Sequence, residues 1–168
     1  MIGGRRGYLE IMTAAAASGF SRDQVEVLDL VRRSGALSFD ALLDRAVEAL
    51  HARFPQYTGV FLYWMDGPDA LVLRTHRGRP TEHTRIPVAV GICGRAAREK
   101  RTVIVDDVTA DPSYLACSLE TRSEIVVPIM RGDAVLGEID IDGDAAAAYG
   151  PADQRFLEEL ALLIAARV

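Results

Sequence analysis

The stretch "EIVVPIMRGDAVLGEIDID", residues 124–142, decides the fold. Two strand-like runs, "EIVVPIM" and "AVLGEIDID", flank "RGD", where Gly132 and Asp133 supply the geometry of a tight hairpin. The second run alternates strictly, so Glu138, Asp140 and Asp142 share one face of the strand and Ile139 and Ile141 share the other. A solvated outer face is the simple reading of that pattern. Three carboxylates at every second position repel one another, however, and such a row costs stability unless water or a cationic ligand relieves it. A ligand ammonium would suit it. Folding the hairpin back about 132–133 brings Glu124 to the far end, near Asp140 and Asp142, so the acids converge at one mouth. Carboxylates crowded into a cleft raise one another's pKa, and one can then act as a general acid near neutral pH.

Working outward, the aromatic and β-branched run "YTGVFLYWM" and the run "ALVLRTH" read as a second hairpin around "DGPD". "TRIPV" and "TVIVDDV" add two short strands. The predicted strands are 57–65, 70–76, 84–88, 102–106, 124–130 and 134–142. Ser21 to Gln24 reads as a capping box, opening a helix over 22–34 that Gly35 closes. Ser38 caps a second helix, 39–53, with Leu42, Leu43, Ala46, Ala49 and Leu50 along one stripe. Pro151 suits the first position of a last helix, 151–167, which buries Phe156, Leu157, Leu160, Leu163 and Ile164. A short helix is expected over 95–100, after the glycines of "VGICG". This order predicts an α+β architecture: a six-stranded antiparallel sheet with helices packed on one face.

The 168 residues suit one domain with a real core, and a net charge of −5 disfavours nucleic acid or an anionic membrane as the main partner. The basic clusters at 77–79 and 98–101 read as solvated charges. No apolar run is long enough to span a bilayer. The N-terminal "RRGYLEIMTAAAASG" has twin arginines and small residues, but Glu10 interrupts its short apolar patch. It reads as a helix or tail rather than an export signal, and a cytoplasmic location is expected. Two cysteines make no disulfide framework; they are either buried reduced thiols or a redox pair that cycles. Cys93 sits in "GICG" at a probable helix start, where a thiol pKa would be lowered. Cys117 lies in a polar loop ahead of Glu124, an unusual place for a structural cysteine. His51, His76 and His83 have no metal-ligand spacing, and no phosphate loop or dinucleotide fingerprint occurs, so neither a metal nor a cofactor is expected.

"RIPVAVGICGRAA", "VDDV", "LACSLETRSEIVVPI" and "LGEIDID", in this order and spacing, resemble a GAF domain, and most of all the free methionine-(R)-sulfoxide reductases within that superfamily. The resemblance covers roughly 40–168 and is specific from 84 to 142. It implies a GAF domain over 37–168, with 1–36 as a helical extension that could serve a homodimer. It implies thiol attack on the sulfoxide sulfur of free methionine sulfoxide or a similar small sulfoxide, a sulfenic acid, a disulfide, and reduction by a thioredoxin-like partner. Carried over by motif, Cys117 takes the attacking position and Cys93 the resolving one. Glu124, Asp140 and Asp142 hold the substrate amine and protonate the leaving oxygen, and Tyr57 and Phe61 stand where the family has an aromatic lid. The family usually has a third cysteine ten residues before Cys93, where this chain has His83. Ser113 to Ser118 likewise replace the family's usual motif around the attacking cysteine. "DVTADPSY" is also a pattern of sensory GAF domains, so the alternative is a non-catalytic domain that binds a small molecule or senses redox state.

Overall fold

A computed structural model of the chain describes residues 19–115 and 118–168. Residues 1–18, half of the expected N-terminal extension, and Cys117 lie outside the described residues. The elements in order are α1 (Arg22–Arg33), α2 (Phe39–Arg53), β1 (Gly59–Asp66), β2 (Ala70–Gly78), β3 (Arg85–Pro87), α3 (Gly91–Glu99), β4 (Val103–Val105), β5 (Ser123–Arg131), β6 (Ala134–Gly143) and α4 (Pro151–Ala165). A 3-10 turn, Val108–Ala110, opens the long connection from β4 to β5.

The six strands form one sheet in the order β3-β2-β1-β6-β5-β4, antiparallel throughout. The longest strands, β5 and β6, are neighbours joined by Gly132 and Asp133. Gly132 has φ 58°, which a two-residue hairpin needs at its first central position and which side chains resist.

Alternation sorts the sheet into two unlike faces. Val60, Leu62, Ile125, Val127, Ile129, Ile139 and Ile141 point into the larger core, built with α1, α2 and α4. The helices form there because their sequences cap and stripe correctly. The Ser21–Gln24 capping box is made in both directions, Ser38 accepts from the Ala41 N–H, and Pro151 sits in the first turn of α4. Val27, Leu28 and Val31 of α1 are buried in this core.

The other face carries Phe61, Tyr63 and Val126 with the acids, and the short α3 covers it. This helix starts at Gly91, four residues earlier than expected. Glycine weakens a helix, so the sequence reads 91–94 as a loop. Here the glycine is required, because a Cβ on Gly94 would stand 2.5 Å from the Val88 carbonyl oxygen. The close approach seats the first turn of α3, with Cys93 in it, against the sheet.

The central strand β6 has no freedom to adjust, being paired on both sides. Ile139→Ala is expected to destabilise the protein by about 2–5 kcal/mol, read from the denaturant midpoint. Leu119→Ala, at a side chain 96% exposed, should change it by no more than about 0.5 kcal/mol.

Candidate functional site

On the α3 side, the register sets the acids in rows. Asp142 lies between Gly59 and Glu124, Asp140 between Phe61 and Val126, and Glu138 between Tyr63 and Pro128. Side chains directly opposite on neighbouring strands share a face, so Glu124, Glu138, Asp140 and Asp142 all crowd onto the same side. All four are buried: Glu124 is 5% exposed, Glu138 0%, and Asp140 and Asp142 1% each. Cys93 closes the cluster from α3, and its thiol donates to Asp140 Oδ2 at 3.4 Å. A small cavity is lined by Ile86, Gly91, Ile92, Cys93, Leu115, Glu124 and Asp140.

No ion pair reaches the four acids among the described residues. The two nearby guanidinium groups are engaged elsewhere: Arg79 with Asp144 at 2.5 Å and Glu120 at 3.5 Å, and Arg95 with Asp111 at 3.0 Å. Both oxygens of Glu138, Oδ1 of Asp140 and Oδ2 of Asp142 are buried without a hydrogen-bond partner. The hydroxyl of Tyr63, which pairs with Glu138 across the strands, donates instead to the His83 carbonyl at 2.9 Å.

Charged carboxylates in such a place are costly, and burial favours the protonated form. Burial, reinforced by Asp140, Asp142 and Glu138, drives the Glu124 carboxyl well above its ordinary range. Burial and Asp140 do the same to Glu138, and burial and Asp142 to Asp140, with Cys93 pulling the other way on both. Asp142 is pushed up to about 7, chiefly by burial, with Thr121 and Arg79 pulling the other way.

The structure thus brings Cys93, Glu124, Asp140 and Asp142 together. Phe61 is beside them, opposite Asp140 and stacked on His76 with ring centroids 5.9 Å apart, but it is fully buried and forms a wall rather than a lid. Tyr57 is not brought to the acids. The strand begins at Gly59, so the alternation that would aim Tyr57 at them does not extend to it. Instead Tyr57 packs in the helix-side core, its ring stacked on Phe54 and its hydroxyl donating to Asp153 at 2.7 Å. Glu138 is the acid that motif matching omits, although the alternation of "GEIDID" already places it in the row. Cys93, Glu124 and Asp140 also offer three donor atoms within 4.8 Å of one another, a set that could hold a metal ion.

A buried cleft on one face of an antiparallel sheet, with a short helix over it, is the arrangement of a GAF domain. The GAF domain family model matches residues 36–168, and the chain belongs to that family. Among its relatives is the free methionine-R-sulfoxide reductase of Saccharomyces cerevisiae, 35% identical over 87% of this chain and 78% of that protein. GAF domain-containing protein A of Dictyostelium discoideum is 33% identical over 74% of this chain and 77% of its own length. Among solved structures, the free methionine-R-sulfoxide reductase of Neisseria meningitidis, in complex with its substrate, is 33% identical. It aligns over 87% of this chain and 86% of its own with a TM-score of 0.80.

The protonated row makes a signed prediction. A carboxyl whose folded pKa is raised stabilises the fold at low pH, and that contribution is lost as pH rises from its ordinary value of about 4 through its folded value. With Asp142 near 7, the melting temperature of the ligand-free protein should fall between pH 5.5 and 8, and Asp142→Asn should flatten part of that slope. A melting temperature that rises across this range in the wild type would show that the row is not protonated.

Proposed function

We propose that the protein reduces free methionine-(R)-sulfoxide, or a similar small sulfoxide, by thiol chemistry. The observation that carries this reading is the Cys93 thiol held against Asp140 in a buried cluster of carboxyls that lacks any cation of its own. An amino acid's ammonium group fits that need, and its binding would draw charge onto two of the acids by charge-assisted hydrogen bonds. A carboxyl that keeps its proton is placed to deliver it to a sulfoxide oxygen. No described helix is long and apolar enough to cross a membrane.

The chemistry divides between two thiols. Attack by the first on the sulfoxide sulfur moves the oxygen onto the thiol, which becomes a sulfenic acid, while the sulfoxide leaves as a thioether reduced by two electrons. The second thiol then displaces hydroxide, which departs as water with that thiol's proton, and a disulfide closes. A thioredoxin-like dithiol restores both. By resemblance, Cys117 attacks and Cys93 resolves; Leu115, two residues before Cys117 in the chain, lines the cavity.

Thioredoxin-coupled turnover of free methionine-(R)-sulfoxide, assayed in a chelator, tests the reading. Cys117→Ser should reduce turnover to background, and Cys93→Ser should complete about one turnover and then stall with a sulfenic acid that dimedone traps. The opposite pattern would exchange the two roles. Glu124→Gln should raise KM by about 10- to 100-fold, since one charge-assisted hydrogen bond to the ammonium is lost. A wild-type protein that binds the amino acid but turns over no small sulfoxide is instead a ligand-binding or redox-sensing GAF domain.

A further inference from the structure

The sequence has no paired ligands at metal-binding spacing, yet the fold assembles a mixed donor set from three elements: Cys93 from α3, Glu124 from β5 and Asp140 from β6. We propose that the reduced protein binds one thiophilic divalent cation of the zinc class at Cys93, Glu124 and Asp140, with a fourth position open to the cavity. The site does not depend on the sulfoxide chemistry.

Geometry supports it first. Zinc bonds of about 2.3 Å to sulfur and 2.1 Å to a carboxylate oxygen place tetrahedral sulfur and oxygen donors about 3.6 Å apart. Cys93 Sγ and Asp140 Oδ2 are 3.4 Å apart, and one donor atom of Glu124 completes a triangle no wider than 4.8 Å. The donors sit on a central sheet and a helix locked against it, so little rearrangement is required.

A second observation points to a ligand. Asp140 is 1% exposed and lines the cavity, and its Oδ1 has no partner. Glu138, fully buried behind it, has two more orphaned oxygens. Buried carboxylate oxygens are ordinarily satisfied by hydrogen bonds, cations or metals, and neither Arg79 nor Arg95 is directed to them. Glu138 is placed to act as an outer carboxylate that tunes the ligands.

The donor chemistry selects the ion. One thiolate with two carboxylates suits zinc or cobalt, whereas calcium and magnesium require oxygen donors throughout. Binding releases the thiol and carboxyl protons to solvent and engages the Cys93 sulfur. The loaded protein therefore cannot close a disulfide through Cys93, and a bound ion competes with an ammonium ligand for Glu124 and Asp140. Zinc would shield the thiol reversibly.

Cobalt(II) alone is the probe. Chelator-stripped, phosphine-reduced full-length protein should take up one equivalent, with a sulfur-to-cobalt charge-transfer band in the near ultraviolet that zinc abolishes. Cys93→Ser should eliminate the band, Cys117→Ser should keep it, and Asp140→Asn and Glu124→Gln should each weaken binding at least about tenfold. In the unaltered protein, zinc should slow alkylation of Cys93, located by mass spectrometry, at least about tenfold. No charge-transfer band in the reduced wild type overturns the proposal. So does a band that survives Cys93→Ser or disappears in Cys117→Ser, or a Cys93 alkylation rate indifferent to zinc. Because no sulfoxide is present, these outcomes are independent of whether the protein is a reductase.

Discussion

Four carboxyl groups are buried on one face of two adjacent central strands, and among the described residues no ion pair reaches them. Ionised together they would repel one another across a medium that screens poorly, which pushes their pKa values up. Such a row destabilises the empty protein at neutral pH. It is tolerated because the opposite face of the same strands is filled with Ile125, Val127, Ile129, Ile139 and Ile141 under three helices. Fully burying side chains of that size contributes about 1.5–3 kcal/mol each, enough to offset a strained polar face. The two sides of the sheet thus differ: one is the larger apolar core, and the other holds the buried carboxyl row.

The position of the acids depends on a detail of pairing. At the hairpin end, Arg131 faces Ala134 and Met130 faces Val135. Continued unchanged, that register would set Glu124 opposite Ile141, a mismatch of acid with core. A one-residue irregularity between Ile129 and Met130 shifts the pairing, so that Ile129 faces Gly137 and Glu124 faces Asp142. Since side chains alternate with a period of two, this bulge decides whether the acids of β5 and β6 meet or lie on opposite faces. Gly137 sits just past the shift, where a Cβ would lie 2.3 Å from the Tyr63 carbonyl oxygen. The local crowding explains why the strand carries a glycine there.

Cys93 comes to the acids by a different route. It is placed by α3, which the sheet topology sets over the acid face while the three longer helices take the other. A thiol in the first turn of a helix ordinarily experiences the positive end of the helix dipole. Here it also meets Asp140 at hydrogen-bond distance, so its reactivity is tied to the protonation or ligation of the row.

Much of this was legible in the sequence. The capping residues Ser21 and Ser38, the apolar stripes of the long helices, the two hairpins and the alternation of "GEIDID" are local signals, each set by interactions within a few residues, and the elements occur within a few positions of where those signals put them. Alternation also identified Glu138, Asp140 and Asp142 as sharing a face. It could not tell whether that face was open to water or sealed, because solvent exposure depends on α3 and on the long loop that returns to β5. Nor could it aim Tyr57, which precedes the first strand residue and turns into the helix-side core. The hairpin already put Glu124 near Asp140 and Asp142, but the bulge that sets its exact register, and the docking of Cys93 onto Asp140, belong to the tertiary structure alone. Both join residues far apart in the chain, and no short-range pattern encodes how a strand register or a helix seat is finally settled by packing.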